Sequence, residues 1–557
     1  MRFFSKIKSC GSSFVRQFTS TKTGMFMIRS SALKKQSRLL LASALALIAT
    51  GGSAFAITAQ QAVETEVEAL TAPKSKTIIT ASAAILAQAV GDAIQHHPEL
   101  AAKDIAAAAF EPYPAGDPKP KVRGDRNKSA GLVVQSAITT TLATQTPTSQ
   151  DIADIAHNVA VVGGTNTKIN LTDAGRIAVA KGALIADASA AQQIGQTLAL
   201  DMSIKTTKTA FAAGAITGVF ANAGTAETGA NDFVKGVLSS TGGITDSAEV
   251  FAGKVAAAAK ANNNVVAQVA NATVAFFGSN QQVSISAAVI KAAPKAAAET
   301  SRRVAQLIAP SAGQADRITF ATALVNTKGF ASYSALIAQG VSLTDPEFAG
   351  VITKAVVAAN SSTLALAPKI AVSVANMVDG EDASEVSNEL GKLVEAGTLK
   401  VSTAATIAKS IAGTQFVVNS QLDIEATASS MTQHLINLFQ TANGINDKAN
   451  KAILAAVYNV GKMVAKVSTA FAKKSSSTNF SDVVAGAVTD SIMGVISNLS
   501  STDQDTIIAA LKKAVTSATP PAFDPSVSAA IDNARNNNGN QYQVGPVVDQ
   551  ETPTTNF

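Results

Sequence analysis

Residues 173–200 read DAGRIAVAKGALIADASAAQQIGQTLAL. Ile177, Leu184, Ile185, Ala188, Ala191, Ile194 and Leu198 recur there at steps of three, four and seven, the spacing that places side chains on one face of an α-helix. Lys181, Asp187 and Gln192 fall off that stripe. Alternation at period two is not sustained anywhere in the chain, so a sheet is not expected. Alanine dominates, and it offsets the small helix penalty of the interspersed Val, Ile and Thr.

The same signature repeats on both sides. Helix starts are expected near Asp173, Thr207, Asp246, Asn280, Asp316, Asp345, Asp382, Gln421, Asn446, Asn479 and Ser501, about 35 residues apart on average. Asp246-Ser-Ala-Glu249, Thr344-Asp345-Pro346-Glu347, Asp382-Ala-Ser-Glu385 and Ser501-Thr-Asp-Gln504 have the form of capping boxes. Gly163-Gly164, Gly242-Gly243, Gly340, Gly380, Gly397, Gly413 and Gly444 read as helix stops, each supplying a left-handed residue. Two short helices and two turns need about 35 residues. The fold class is therefore all-α: an array of short Ala-rich helices, arranged as stacked helical hairpins (α-solenoid-like) or as an irregular bundle. The tryptophan and the Gly/Tyr spacing of the common 34-residue helical repeat are missing. Phe211, Phe220, Phe233, Phe251, Phe276, Phe277, Phe320, Phe330, Phe348, Phe416 and Phe439 are expected core plugs.

At the N-terminus, Lys34, Lys35 and Arg38 precede an apolar run of 11 residues, Leu39–Ala49, and small residues lead to Ser53-Ala54-Phe55-Ala56. A basic flank, a short apolar run and an A-x-A-like site make an export signal with cleavage after Ala56. The run is too short to span a bilayer. Residues 1–24 are basic, Ser/Thr-rich and free of acids; they fit either an upstream over-extension of a bacterial signal or an organelle transit peptide. The divisions expected are a leader over 1–56, a small helical segment over 57–110, a Pro-rich basic loop over 111–128, the main array over 129–518 and a disordered tail over 519–557.

The leader changes how the composition reads. The chain holds 45 Lys+Arg against 39 Asp+Glu. Nine of the basic residues lie between Arg2 and Arg38, ahead of the first acid, Glu64. A chain starting at Ile57 keeps 36 basic residues (45 less 9) against all 39 acids, a formal charge of −3. A nucleic-acid partner is not expected of such a balance, since that binding rests on neutralising phosphates. Cys10 is the single cysteine, so the exported chain is expected to lack disulfides and thiolate chemistry.

Chemistry-bearing groups are sparse. Asp92 and His96 are four apart, with His97 and Glu99 adjoining. One helix face would carry two ligands, but no third stands at clear spacing. Asp151, Asp154 and His157 share a helix and suggest a surface pair; His434 has only Glu425 near it in sequence. Neither G-x-S-x-G nor a phosphate loop occurs, and Ser203/Lys205 and Lys409/Ser410 read as surface pairs. Glu381-Asp382 and Glu64, Glu66 and Glu68 read as helix-start or frayed acids. The four tyrosines, Tyr113, Tyr333, Tyr458 and Tyr542, lie far apart and give no sugar platform. Lys119–Lys128 could meet an anionic surface, and Thr139, Thr140 and Thr141 raise a flat Thr face.

No catalytic, cofactor-binding or metal residue is assigned. The expectation is an exported, non-catalytic helical scaffold in the periplasm, cell envelope or outside the cell, binding another protein or itself. The alternatives are a secreted enzyme whose site draws on distant residues, His96, His97 or His157 among them, and an amphipathic lipid-surface binder without a transmembrane helix.

Overall fold

The structure is a computed structural model. It describes residues 57–71, 82–110, 126–162, 171–200, 207–217, 226–308, 313–440, 443, 447–475, 501, 502, 505, 508 and 509. The leader, the Pro-rich residues 111–125 and the tail 519–557 lie outside them, as do Gly163-Gly164, Ser203, Lys205, Phe220 and Gly444.

The helices, in chain order, are α1 (Ala59–Thr71), α2 (Ala83–His96), α3 (Ala102–Ala108), α4 (Arg126–Thr144), α5 (Ser149–Val161), α6 (Asp173–Ala186), α7 (Ala191–Leu200) and α8 (Lys208–Ile216). They continue as α9 (Ala226–Ser239), α10 (Ala248–Ala259), α11 (Asn263–Phe277), α12 (Gln282–Ala292), α13 (Ala297–Ala305), α14 (Gly313–Asn326) and α15 (Ser334–Ser342). The last are α16 (Ala349–Ala358), α17 (Ser361–Ala365), α18 (Ala367–Ala375), α19 (Gly380–Glu395), α20 (Ala404–Ala412), α21 (Gln421–Asn437) and α22 (Lys448–Ser475). No strand occurs among the described residues. The all-α expectation holds.

The packing order is regular. One layer is α2, α4, α6, α8, α10, α12, α14, α16, α19 and α21, each packed on the next of the set. The other is α1, α3, α5, α7, α9, α11, α13, α15, α18, α20 and α22, packed likewise. The five-residue α17 is an extra turn between the layers. Extensive packing joins neighbours and next-but-one neighbours in sequence, as in stacked helical hairpins. Side-chain hydrogen bonds follow the same period: Asn326–Asn360 and Gln339–Ser373 are 34 residues apart, Glu249–Ser284 and Lys354–Glu389 35, and Glu395–His434 39.

Close approach within a layer depends on glycine. A Cβ on Gly236 of α9 would fall on the Gln192 carbonyl oxygen of α7, and one on Gly195 would lie 2.5 Å from the Phe233 carbonyl oxygen. Gly131 and Gly182 face each other across α4 and α6 in the same way. Between these contacts the core is small: Ala180, Ala183, Ala252, Ala256 and Ala371 are wholly buried. Phe211, Phe233, Phe251 and Phe320 are the large buried plugs, and Phe211 and Phe233 meet at 5.9 Å between ring centres. Phe276 and Phe416 instead stand exposed, at 48% and 42%, and Phe277 and Phe348 are only half-buried.

Several local expectations move. The 173–200 stripe is not one helix. It breaks at Asp187, whose carboxylate accepts from Ser189 N at 2.9 Å and starts a 3-10 turn, Ala188–Ala190. Ile185, expected on the core stripe, lies inside α6 and is 54% exposed. The cap of α10 is Ser247 rather than Asp246, and that of α19 is Asp379 rather than Asp382. Asp345 makes no cap hydrogen bond and pairs instead with Arg317. Gly242, Gly243 and Gly397 have the positive φ expected of stops, at 86°, 60° and 72°. Gly340 lies inside α15 and Gly380 opens α19; Gly413 ends α20 with φ −81°. The helix α4 starts at Arg126, inside the segment read as loop, and α2 packs on α4. The described residues from Thr58 onward form one compact unit.

Candidate functional site

The histidines expected to anchor chemistry are held in separate surface pairs. His96, closing α2, meets Glu66 of α1 at 2.8 Å rather than sharing a ligand with Asp92. His97 meets Glu99 at 3.0 Å, and a backbone N–H first and this ring second hold the Glu99 carboxyl below its usual value. Glu64, Glu66 and Glu68 lie along the middle of α1, not at a frayed end. Asp154 accepts from Gln150 at 2.7 Å. Among the described residues, no group of three or more His, Cys, Asp or Glu could hold a metal ion.

A cleft of about 590 Å³ lies where α3, the end of α4 and the start of α5 meet. Glu99, Lys103, Asp151 and Asp154 line it with Pro98 and Ile155. It thus brings together acids from both expected clusters. Their chemistry is spoken for: Asp151 closes a capping box with Thr148, whose hydroxyl and N–H hold its carboxyl below the usual range. Thr141, on its wall, is buried and donates to Ala137 O at 2.8 Å, while Thr139 is exposed. The three threonines thus do not share one flat face.

Linear spacing misses the polar network around His434 on α21. Its Nδ1 meets Glu395 at 2.5 Å and its Nε2 meets Asn388 Oδ1 at 2.8 Å, both on α19. Asn388 in turn donates to Glu385 at 3.0 Å. Gly391 leaves the space the ring fills, since a Cβ there would strike His434. The His434 hydrogen bond is the main reason the Glu395 carboxyl is lowered. Nearby, Glu389 is almost wholly buried between Lys354, at 2.8 Å, and Lys392. Burial alone would raise its carboxyl; the two lysines outweigh that and lower it. These contacts fasten α16, α19 and α21 together.

The more distinctive surface comes from the stacking itself. Helices of the first layer run the same way, as paired contacts show: Gly350 and then Lys354 of α16 meet Glu385 and then Glu389 of α19, and Gly380 and then Glu395 of α19 meet Asp423 and then His434 of α21. Short connections then place every turn from the even-start layer (α2, α4 and onward) to the other on one edge, and every return turn on the opposite edge. The return edge carries exposed apolar side chains at the ends of α7, α11, α13, α18 and α20: Leu200, Phe276, Leu307, Met377 and Phe416. Leu307, Met377 and Phe416 precede helices that begin with acids, Asp316 in α14, Asp379 and Glu381 at α19, and Asp423 in α21, and Glu347 stands before α16; α8 and α12, which follow Leu200 and Phe276, carry no acid in the first turn. Acids at helix starts favour the helix dipole. They also crowd one another. Burial and the charges of Asp379, Glu381 and Glu347 push the Asp382 carboxyl up to about 6.

No protein-family model matches this chain, and no curated protein matches it. No described helix is long and apolar enough to cross a membrane.

Proposed function

We infer that the chain is an exported, non-catalytic helical scaffold that presents its return edge to a protein. The observation that carries this reading is the recurrence of an exposed apolar side chain at the ends of α11, α13, α18 and α20, Phe276, Leu307, Met377 and Phe416, with the end of α15 skipped. Exposed apolar side chains recurring along one edge suit an interaction surface. A solenoid displays such groups at a fixed period, because each repeat contributes the same position. Export rests on the leader of residues 1–56, which supports the periplasm, the envelope or the exterior as the site of action.

The test places a photo-cross-linking residue at Phe276 or at Met377 in the exported protein. Cross-links to a protein are expected from both positions and not from an exposed site midway along a helix, away from both edges, such as Gln196 of α7. Equal yields from all three would remove the reading. A mature chain still beginning at Met1 would remove the export part alone.

A further inference from the structure

The edge opposite the apolar row carries a second periodic feature. Lys260, Lys295, Lys328, Lys369, Lys400 and Lys448 lie at the successive turns that lead into α11, α13, α15, α18, α20 and α22. All six are exposed. Lys369 and Lys448 stand in the first turns of α18 and α22, where the helix dipole disfavours a cation. Lys260, Lys295, Lys328 and Lys400 follow the C-termini of α10, α12, α14 and α19, where the dipole favours a cation, so local helix energetics leave only Lys369 and Lys448 unaccounted for. The acids beside these lysines are engaged elsewhere: Glu299 with Arg302 and Arg303, Glu395 with His434, and Asp447 with the N–H groups of Ala449 and Asn450.

The two edges are complements. The lysines and the return-edge acids Asp316, Glu347, Glu381 and Asp423 each advance one hairpin at a time, so both share the helix-to-helix spacing of roughly 8–10 Å. On the return edge an apolar group stands with an acid: Leu307 with Asp316, Met377 with Glu381, Phe416 with Asp423. A lysine suits such a pair, because its aliphatic stem covers apolar surface while its ammonium reaches the carboxylate.

We propose that the partner is a second copy of this chain, whose lysine edge docks on the apolar and acidic return edge of the first. The proposal rests on the scaffold reading and names its occupant. The contact is heterologous, edge to opposite edge, so each copy keeps one free edge of each kind and assembly continues sideways instead of closing as a dimer. Steering comes from opposed charge rows and weakens with salt.

Sedimentation velocity of the full-length chain tests this. Association is expected at about 0.05 M salt and at least a tenfold weaker association at about 0.5 M, where the Debye length is shorter. Two variants follow. Lys328→Glu/Lys369→Glu/Lys400→Glu leaves two acidic edges, and Asp316→Lys/Glu347→Lys/Glu381→Lys leaves two basic ones. Each alone should stay monomeric, and an equimolar mixture should associate again. All six positions are exposed, and helical circular dichroism checks the fold. Should the acid-edge variant lose helicity, Glu347→Gln/Glu381→Gln gives a milder loss of association. A wild-type chain monomeric at low salt overturns the proposal, as do variants that associate like wild type. So does a lysine variant that loses only its binding to anionic phosphatidylglycerol vesicles. A monomeric wild type that still cross-links another protein from Phe276 and Met377 ends self-pairing and leaves the scaffold standing; loss of both ends both.

Discussion

Asp382 is a residue whose own neighbours work against its charge. Its carboxyl is raised to about 6 from an ordinary 3.8, first by burial and then by Asp379, Glu381 and Glu347. A raised folded-state value means the folded chain holds the proton more tightly than the unfolded one. The associated stability is fully present below about pH 4 and is lost as pH rises through about 6. Asp382→Asn should therefore raise the thermal midpoint at pH 7 and leave it unchanged near pH 4. A midpoint that rises equally at both would show that charge is not the cause. Glu395 runs the other way. Its lowered carboxyl stabilises at neutral pH, and that contribution fades as acid protonates it and breaks its pairing with His434. Sequence order shows Asp379 and Glu381 beside Asp382, but not the partners that come from another hairpin. Glu395 lies 39 positions from its histidine and Glu347 lies 35 from Asp382, a full hairpin away.

At the scale of the helix, the informative contrast is between two glycines. Gly236 of α9 leaves no room, because a Cβ there would meet the Gln192 carbonyl. Gly253 of α10 has its nearest neighbour, Ala288 O, at an ordinary 3.6 Å. Gly236→Ala should destabilise by about 1–3 kcal/mol through overpacking. Gly253→Ala should stabilise by about 0.5–1 kcal/mol, since alanine loses less backbone entropy in a helix. Urea midpoints measure both, and equal signs would contradict the packing described. This scale also separates what could be read from residue order. Most expected starts, from Asp173 through Gln421, fall at the helices of a single layer. Thr172, Thr207, Ser247, Asp379 and Ser420 cap helices of that layer with side-chain hydrogen bonds, so the signal is local and visible. In the other layer, α7, α13, α15 and α20 follow 3-10 turns, Ala188–Ala190, Pro294–Ala296, Ala331–Tyr333 and Val401–Thr403. Such turns leave little mark on composition, and the 173–200 stretch was accordingly read as one stripe. The edges were hidden for a further reason: an exposed Phe276 and a buried Phe251 look alike until the stacking order is known.

For the molecule as a whole, contacts that reach only one hairpin away make stability a sum over neighbours rather than a single core. Hydrogen exchange should show it. Gly236→Ala should speed exchange in α7, α9 and α11 while α1, α2 and α22 keep their wild-type rates; uniform acceleration would mean one cooperative unit instead. The same range of contact sets how the chain can change in length. Among the described residues, the side-chain hydrogen bonds reach no farther than the 46 positions from Asn388 to His434. Duplication or deletion of a hairpin would then disturb only the two junctions it creates. The short α17 shows a smaller addition already absorbed: its Asn360–Thr363 capping box seals it as an independent turn, and α18 still takes its place on α15. Homologous chains of differing length, altered in whole hairpins or in sealed turns of this kind, are the expected record of such a history.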